Sequence, residues 1–127
     1  MPKKFYTHYL PAIIWAGIIF TLSAVPGNQY PSAVFDYSII AHLIEYFVLA
    51  ILVSRVLGAK IKSQLFLAFL ICALFALSDE LHQLFVPYRS AGIVDFLIDL
   101  SAIILGIIFY WFNSKLTTKY PTPKGLS

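Results

Sequence analysis

The sequence predicts an all-α integral membrane protein, a four-transmembrane-helix bundle with both termini cytoplasmic. Three observations predict it: the composition, four apolar runs, and a one-sided distribution of Lys and Arg. Of 127 residues, 60% are hydrophobic and 12% are charged. A soluble domain carries roughly 25% charged residues. The length has room for several spans of ~20 residues and none for a second domain, so 1–127 reads as one membrane domain. The net charge of +3 does not point to nucleic acid. It follows from topology.

The elements follow in order. Lys3 and Lys4 open a short basic start. The first span is expected at about 8–25, with Pro11 tolerated in its first turn. Ala12, Ala16, Gly17 and Thr21 recur at helical spacing and suit close packing. A basic start, an apolar stretch and Ser23-Ala24-Val25 also fit a signal peptide loosely; Trp15 and Phe20 favour a retained span. A loop with Pro26-Gly27-Asn28 and Tyr30-Pro31 follows. The second span is expected at 37–57, a basic turn at 58–63, the third span at 64–86 and the fourth at 93–112. Phe109-Tyr110-Trp111-Phe112 suits an interfacial belt. Residues 113–127 read as a polar, disordered tail. Cys72 lies mid-span as a small packing residue, and one cysteine builds no disulfide within the chain.

Four crossings put Lys3, Lys4, Arg55, Lys60, Lys62, Lys115, Lys119 and Lys124 on one side and only Arg89 on the other. The positive-inside rule makes the first side cytoplasmic. Asp36, Glu45, Asp79, Glu80, Asp95 and Asp99 all fall in the outer half.

Those acids are the functional signal. A charge at a bilayer centre costs roughly 2.5–3.5 kcal/mol on insertion scales. Adjacent Asp79 and Glu80, ending a long apolar run with Ser78, His82 and Gln83 beside them, therefore mark a site. At 100° per residue the last three spans separate into two faces. On the third, Leu67, Leu70, Leu74, Leu77 and Leu81 face lipid, and Ala68, Cys72, Ala76, Asp79 and Gln83 face inward, with Glu80 and His82 flanking. On the second, Ile40, Ile44, Phe47 and Ile51 face lipid; Ser38, His42, Glu45, Tyr46 and Leu49 face inward. On the fourth, Leu97, Leu100, Ile104 and Ile108 face lipid; Asp95, Asp99, Ala102 and Gly106 face inward. The ionisable groups of all three lie ~5–12 Å below the outer helix ends. The expectation is one polar pocket opening outward, sealed below by an apolar inner half.

Glu45, Asp79, Glu80, Asp95 and Asp99 outnumber Arg89, His42 and His82. Protonation, water or a bound cation must offset the imbalance. Arg89, just past Pro87, is expected to fold over the mouth and pair with one acid.

The motifs His42-x-x-Glu45-Tyr46, Ser78-Asp79-Glu80-x-His82-Gln83-x-Phe85-Val86-Pro87-x-Arg89 and Asp95-x-x-x-Asp99 together resemble the VanZ-like family. The resemblance covers roughly residues 36–106. Two positions depart from it: Tyr88 and Ala102 stand where the family commonly has glycine. The resemblance implies a small multi-pass protein of the bacterial cytoplasmic membrane. The family's namesake is associated with resistance to the glycopeptide teicoplanin.

Three functions are compatible. In the first, Asp79, Glu80, Gln83, Arg89, Asp95, Asp99, His42 and Tyr46 bind a cell-envelope lipid or a glycopeptide group. In the second, an enzyme acts on a lipid-linked headgroup. Its acids and bases would come from His42, Glu45, Asp79, Glu80, His82, Asp95 and Asp99, or a divalent metal would sit on His42, Asp79, Glu80, Asp95 and Asp99. The third is a proton or ion pathway, which the uncharged inner halves disfavour. Four short helices offer little interior, so a homo-oligomer is compatible with each.

Overall fold

The computed structural model describes residues 3–30 and 35–119. A π-helical turn, Phe5–Tyr9, leads into α1, Leu10–Ser23; α2 spans Phe35–Leu57, α3 Lys62–Gln83 and α4 Ile93–Lys119. No strand occurs among the described residues. Four helical segments are long and apolar enough to cross a membrane: Phe5–Ser23, Ser38–Leu57, Lys62–Gln83 and Ile93–Thr117.

The boundaries move where local chemistry outweighs polarity. Pro11 stands at the start of α1. Its ring has no N–H to give and crowds the carbonyl four residues back, and the wider π turn lies there. The third span ends at Gln83 rather than 86 because the chain turns before Pro87. The tail reading is corrected over 113–119, which continue α4. Nothing between Gly106 and Pro121 breaks a helix, and polar side chains there bond within it. Asn113 Nδ2 donates to Phe109 O at 3.1 Å, and Thr117 Oγ1 donates to Asn113 O at 2.9 Å. The Lys115 ammonium lies 3.9 Å from the Trp111 ring centroid. Residues 120–127 of the expected tail lie outside the described residues.

The core sits where α2 packs on α4. Gly106 makes the approach possible: a Cβ there would stand 2.5 Å from Phe47 O and 2.9 Å from the Ala50 Cβ. Ala50 and Ala102 are buried with it, and α3 adds Ala68, Cys72 and Ala76. In lipid, such small residues replace the hydrophobic effect as the means of packing. The outward leucines of α3 are all exposed, as are Ile40, Ile44, Leu97, Ile104 and Ile108. Phe47, Ile51 and Leu100 differ from their expected lipid-facing positions and are half-buried. Phe47 and Leu100 pack on the core, with the Phe47 ring 5.6 Å from that of Phe109. Gly106 brings α4 so close that the side chains beside the contact are covered too.

Helix α1 is peripheral and buries only Ile19 and Ser23. Trp15 ties it to α2, its indole N–H donating to Glu45 O at 2.9 Å. At the acidic end of the bundle, the loop after α1 meets the loop after α3. Gly27 N–H donates to Pro87 O at 3.1 Å, and a Cβ on Gly27 would overlap Tyr88 O. Tyr88 itself has φ +60°, a left-handed conformation that costs a side-chain-bearing residue roughly 1–2 kcal/mol. A glycine there would carry no such cost.

Two substitutions test this packing through thermal unfolding of the detergent-solubilised protein. Gly106→Leu forces α2 and α4 apart and lowers stability by about 1–3 kcal/mol. Tyr88→Gly relieves the left-handed strain and raises the unfolding temperature. An unchanged Gly106→Leu midpoint, or a lower one for Tyr88→Gly, contradicts the respective contact.

Candidate functional site

Three helices bring their polar groups together at the acidic end. Helix α2 supplies His42 and Tyr46, one turn apart. Helix α3 supplies Asp79, Glu80 and Gln83, and α4 supplies Asp99. All six are buried, Tyr46 and Asp99 completely. Five stand on the inward face that helical spacing dictates; Glu80, expected to flank that face, is buried with them.

Two hydrogen-bonded groups form. In the first, His42 Nδ1 and Asp99 Oδ1 are 2.8 Å apart across α2 and α4. In the second, Asp79 Oδ2 accepts from Tyr46 OH at 3.1 Å and from Gln83 Nε2 at 3.0 Å. The Asp79–Gln83 bond is the i, i+4 pairing of one helix face. Glu80 reaches the loop before α4, where its Oε2 accepts from Gly92 N–H at 3.1 Å. That donor is a backbone group of the 84–92 loop and gives no signal in the sequence.

Each acid has a second oxygen with nothing to accept. Asp79 Oδ1, Glu80 Oε1 and Asp99 Oδ2 are buried without a hydrogen-bond partner. Acceptors left bare at such depth carry a large desolvation cost. Ligand atoms of His42, Glu80 and Asp99 all lie within 4.8 Å of one another.

The remaining expected residues sit around this centre. Glu45 is half-buried one turn from His42 on the same helix. Asp95 lies in the first turn of α4, where the helix dipole favours a carboxylate, and is half-buried. Both interact electrostatically with His42. His82 turns away toward α1 and stacks on Phe20 at 4.3 Å between ring centroids.

Among the described residues, Arg89 pairs with no acid through a close contact. Its Nε donates to Val25 O at 3.1 Å, and its Nη2 donates to Leu22 O at 2.8 Å and to Tyr30 OH at 3.1 Å. The guanidinium also lies 4.8 Å from the Tyr30 ring centroid. A cation is favoured by carbonyls at a helix C-terminus, and α1 ends there. Arg89 thus fastens the 84–92 loop to the end of α1.

The carboxylates at the centre are buried. Asp79 is 1% exposed and Asp99 0%. A cavity of about 500 Å³ lies at the basic end of the bundle, lined by Lys4, His8, Arg55, Tyr110, Asn113 and Thr117 among others. At the acidic end the two loops meet through Gly27 and Pro87, and Arg89 ties the 84–92 loop to α1.

Arg89→Lys tests the loop anchor. A lysine cannot place two forked donors on Val25 O and Leu22 O, so the variant loses about 1–3 kcal/mol. Hydrogen exchange should rise at 84–92 and stay unchanged in the α2–α4 core. Unaltered exchange in that loop contradicts the anchor.

The sequence model of the VanZ/LLP1 family matches residues 8–114. No curated protein and no solved structure matches the chain.

Proposed function

The chain belongs to the VanZ/LLP1 family, and we propose that its buried acid–histidine centre receives the polar head of a cell-envelope lipid or of a teicoplanin-type glycopeptide. The carrying observation is the set of bare acceptors: Asp79 Oδ1, Glu80 Oε1 and Asp99 Oδ2, buried on α3 and α4. A set that only accepts is complementary to hydroxyl, amide and ammonium donors, the groups such heads carry. His42, Tyr46 and Gln83 hold the carboxylates in place. Asp95 lies beside them, and Arg89 positions the loop above.

In this reading the protein is a multi-pass protein of the bacterial cytoplasmic membrane with cytoplasmic termini. The centre then lies in the outer half, level with the outer leaflet. The one-sided Lys and Arg support that orientation. A relay across the membrane finds no support: Leu49, Ala50, Ala68, Cys72, Ala102 and Ile103 fill the buried layer next to the centre.

A second reading has its own observation. His42 Nδ1 beside Asp99 Oδ1 at 2.8 Å is the arrangement that orients an imidazole for proton transfer. An enzyme acting on a lipid-linked headgroup would use His42 as the proton carrier and Asp99 as its positioning residue.

Lipids retained by the purified protein test the main reading. Wild-type protein is expected to carry one envelope lipid far above its share of the host membrane. Asp79→Asn and Glu80→Gln, at matched amounts, should lose that enrichment. The same lipid profile in all three overturns lipid-head recognition. The glycopeptide arm is read separately, as teicoplanin and vancomycin susceptibility of a sensitive Gram-positive host. A shift for teicoplanin that both substitutions abolish assigns the glycopeptide head; no shift with wild type removes it.

A further inference from the structure

We propose that His42, Glu80 and Asp99 form a binding site for one divalent transition-metal ion of the zinc or manganese kind. One residue comes from each of α2, α3 and α4, and a ligand atom from each lies within 4.8 Å of the others. Two ligands held ~2.1 Å from a zinc ion stand ~3.4 Å apart at a tetrahedral angle. Small torsional adjustments bring this triad to that spacing. Adjacent ligands of an octahedral shell at 2.1 Å lie ~3.0 Å apart.

Beyond the spacing, a second observation points to a ligand. Glu80 is 7% exposed and Asp99 0%, and each keeps a buried oxygen with no donor, Glu80 Oε1 and Asp99 Oδ2. Their other oxygens are held, one by Gly92 N–H and one by His42. The triad is therefore pre-oriented and not merely crowded.

Charge supplies the reason for the ion. Two carboxylates and a neutral imidazole sum to −2, which a divalent cation cancels. An uncompensated pair of this kind is costly away from water; a neutral metal centre is not. One nitrogen and two oxygens suit zinc or manganese better than calcium or magnesium, which prefer all-oxygen shells. Three protein ligands also leave a position open. Asp79, Tyr46 and Gln83 are not ligands in this arrangement. Tyr46 and Gln83 instead hold Asp79 beside it.

The ion deepens the headgroup reading, and only in its last step rests on it. An acidic centre repels phosphate, whereas a metal with an open position accepts a phosphate oxygen. The ligand class becomes phosphate-bearing envelope lipids.

The test uses the full chain, delipidated in detergent, stripped with EDTA, loaded with Zn²⁺ and desalted, with metal counted by mass spectrometry. Wild type should hold about one ion per chain, as a three-ligand site would. Glu80→Gln and Asp99→Asn should fall at least tenfold. His8→Ala, whose histidine lies at the other end of the bundle, should keep the ion. Helical circular dichroism identifies any variant that unfolds. For that case, Co²⁺ added to wild type should give the visible absorption of a nitrogen- and oxygen-ligated ion. Wild type holding no more zinc than Glu80→Gln, loss in His8→Ala, or no cobalt band overturns the site. Lipid retention with and without EDTA is a separate reading. If the ion binds and lipid enrichment ignores it, the metal site stands and its link to the headgroup falls.

Discussion

The burial of carboxylates among apolar helices constrains everything else in this fold. Such groups are costly in hydrocarbon, so the bundle must keep them off the lipid and give them partners. The His42–Asp99 pair meets both needs. It joins α2 to α4, the two helices whose backbones Gly106 already lets approach. Asp79, held by Tyr46 and Gln83, joins α2 to α3 in the same way. The small residues Ala50, Ala68, Cys72, Ala76 and Ala102 then pack the layer beside the polar one.

The two ends of the bundle differ in kind. At the acidic end the loops meet, where Arg89 holds α1's last carbonyls and Gly27, lacking a Cβ, leaves room for the backbone at Tyr88. The basic end carries the cavity beside Lys4, His8 and Arg55. The 84–92 loop lies beside the polar centre and is tied to it through Glu80. One Glu80 oxygen accepts from Gly92 N–H in that loop, while the other has no donor.

Much of this was legible in the sequence, for a physical reason. Helical periodicity in a membrane has few solutions, so the inward positions His42, Tyr46, Asp79, Gln83 and Asp99 followed from spacing alone. The VanZ-like motif selected the same residues. Contacts made by backbone were not legible. Gly92 N–H on Glu80 and the carbonyls of Leu22 and Val25 on Arg89 carry no residue-type signal. Arg89 was expected to seek an acid, yet helix-end carbonyls answered it first. Residues 113–119 read as tail by polarity, although helix continuation depends on the absence of breakers and on local bonds. Phe47 and Leu100 read as lipid-facing, because a wheel does not show how closely Gly106 draws the neighbouring helix.

The most direct test of the account is a double-mutant cycle on His42 and Asp99, read as unfolding free energy in mixed micelles. Truncating either partner to alanine leaves the other buried and unpaired, at a cost of about 3–5 kcal/mol. Removing both leaves no orphaned group. The account predicts that the double variant is less destabilised than the sum of the singles, with a coupling of about 2 kcal/mol. Strictly additive effects would show that the two side chains do not depend on each other, and would contradict a fold built around their pairing.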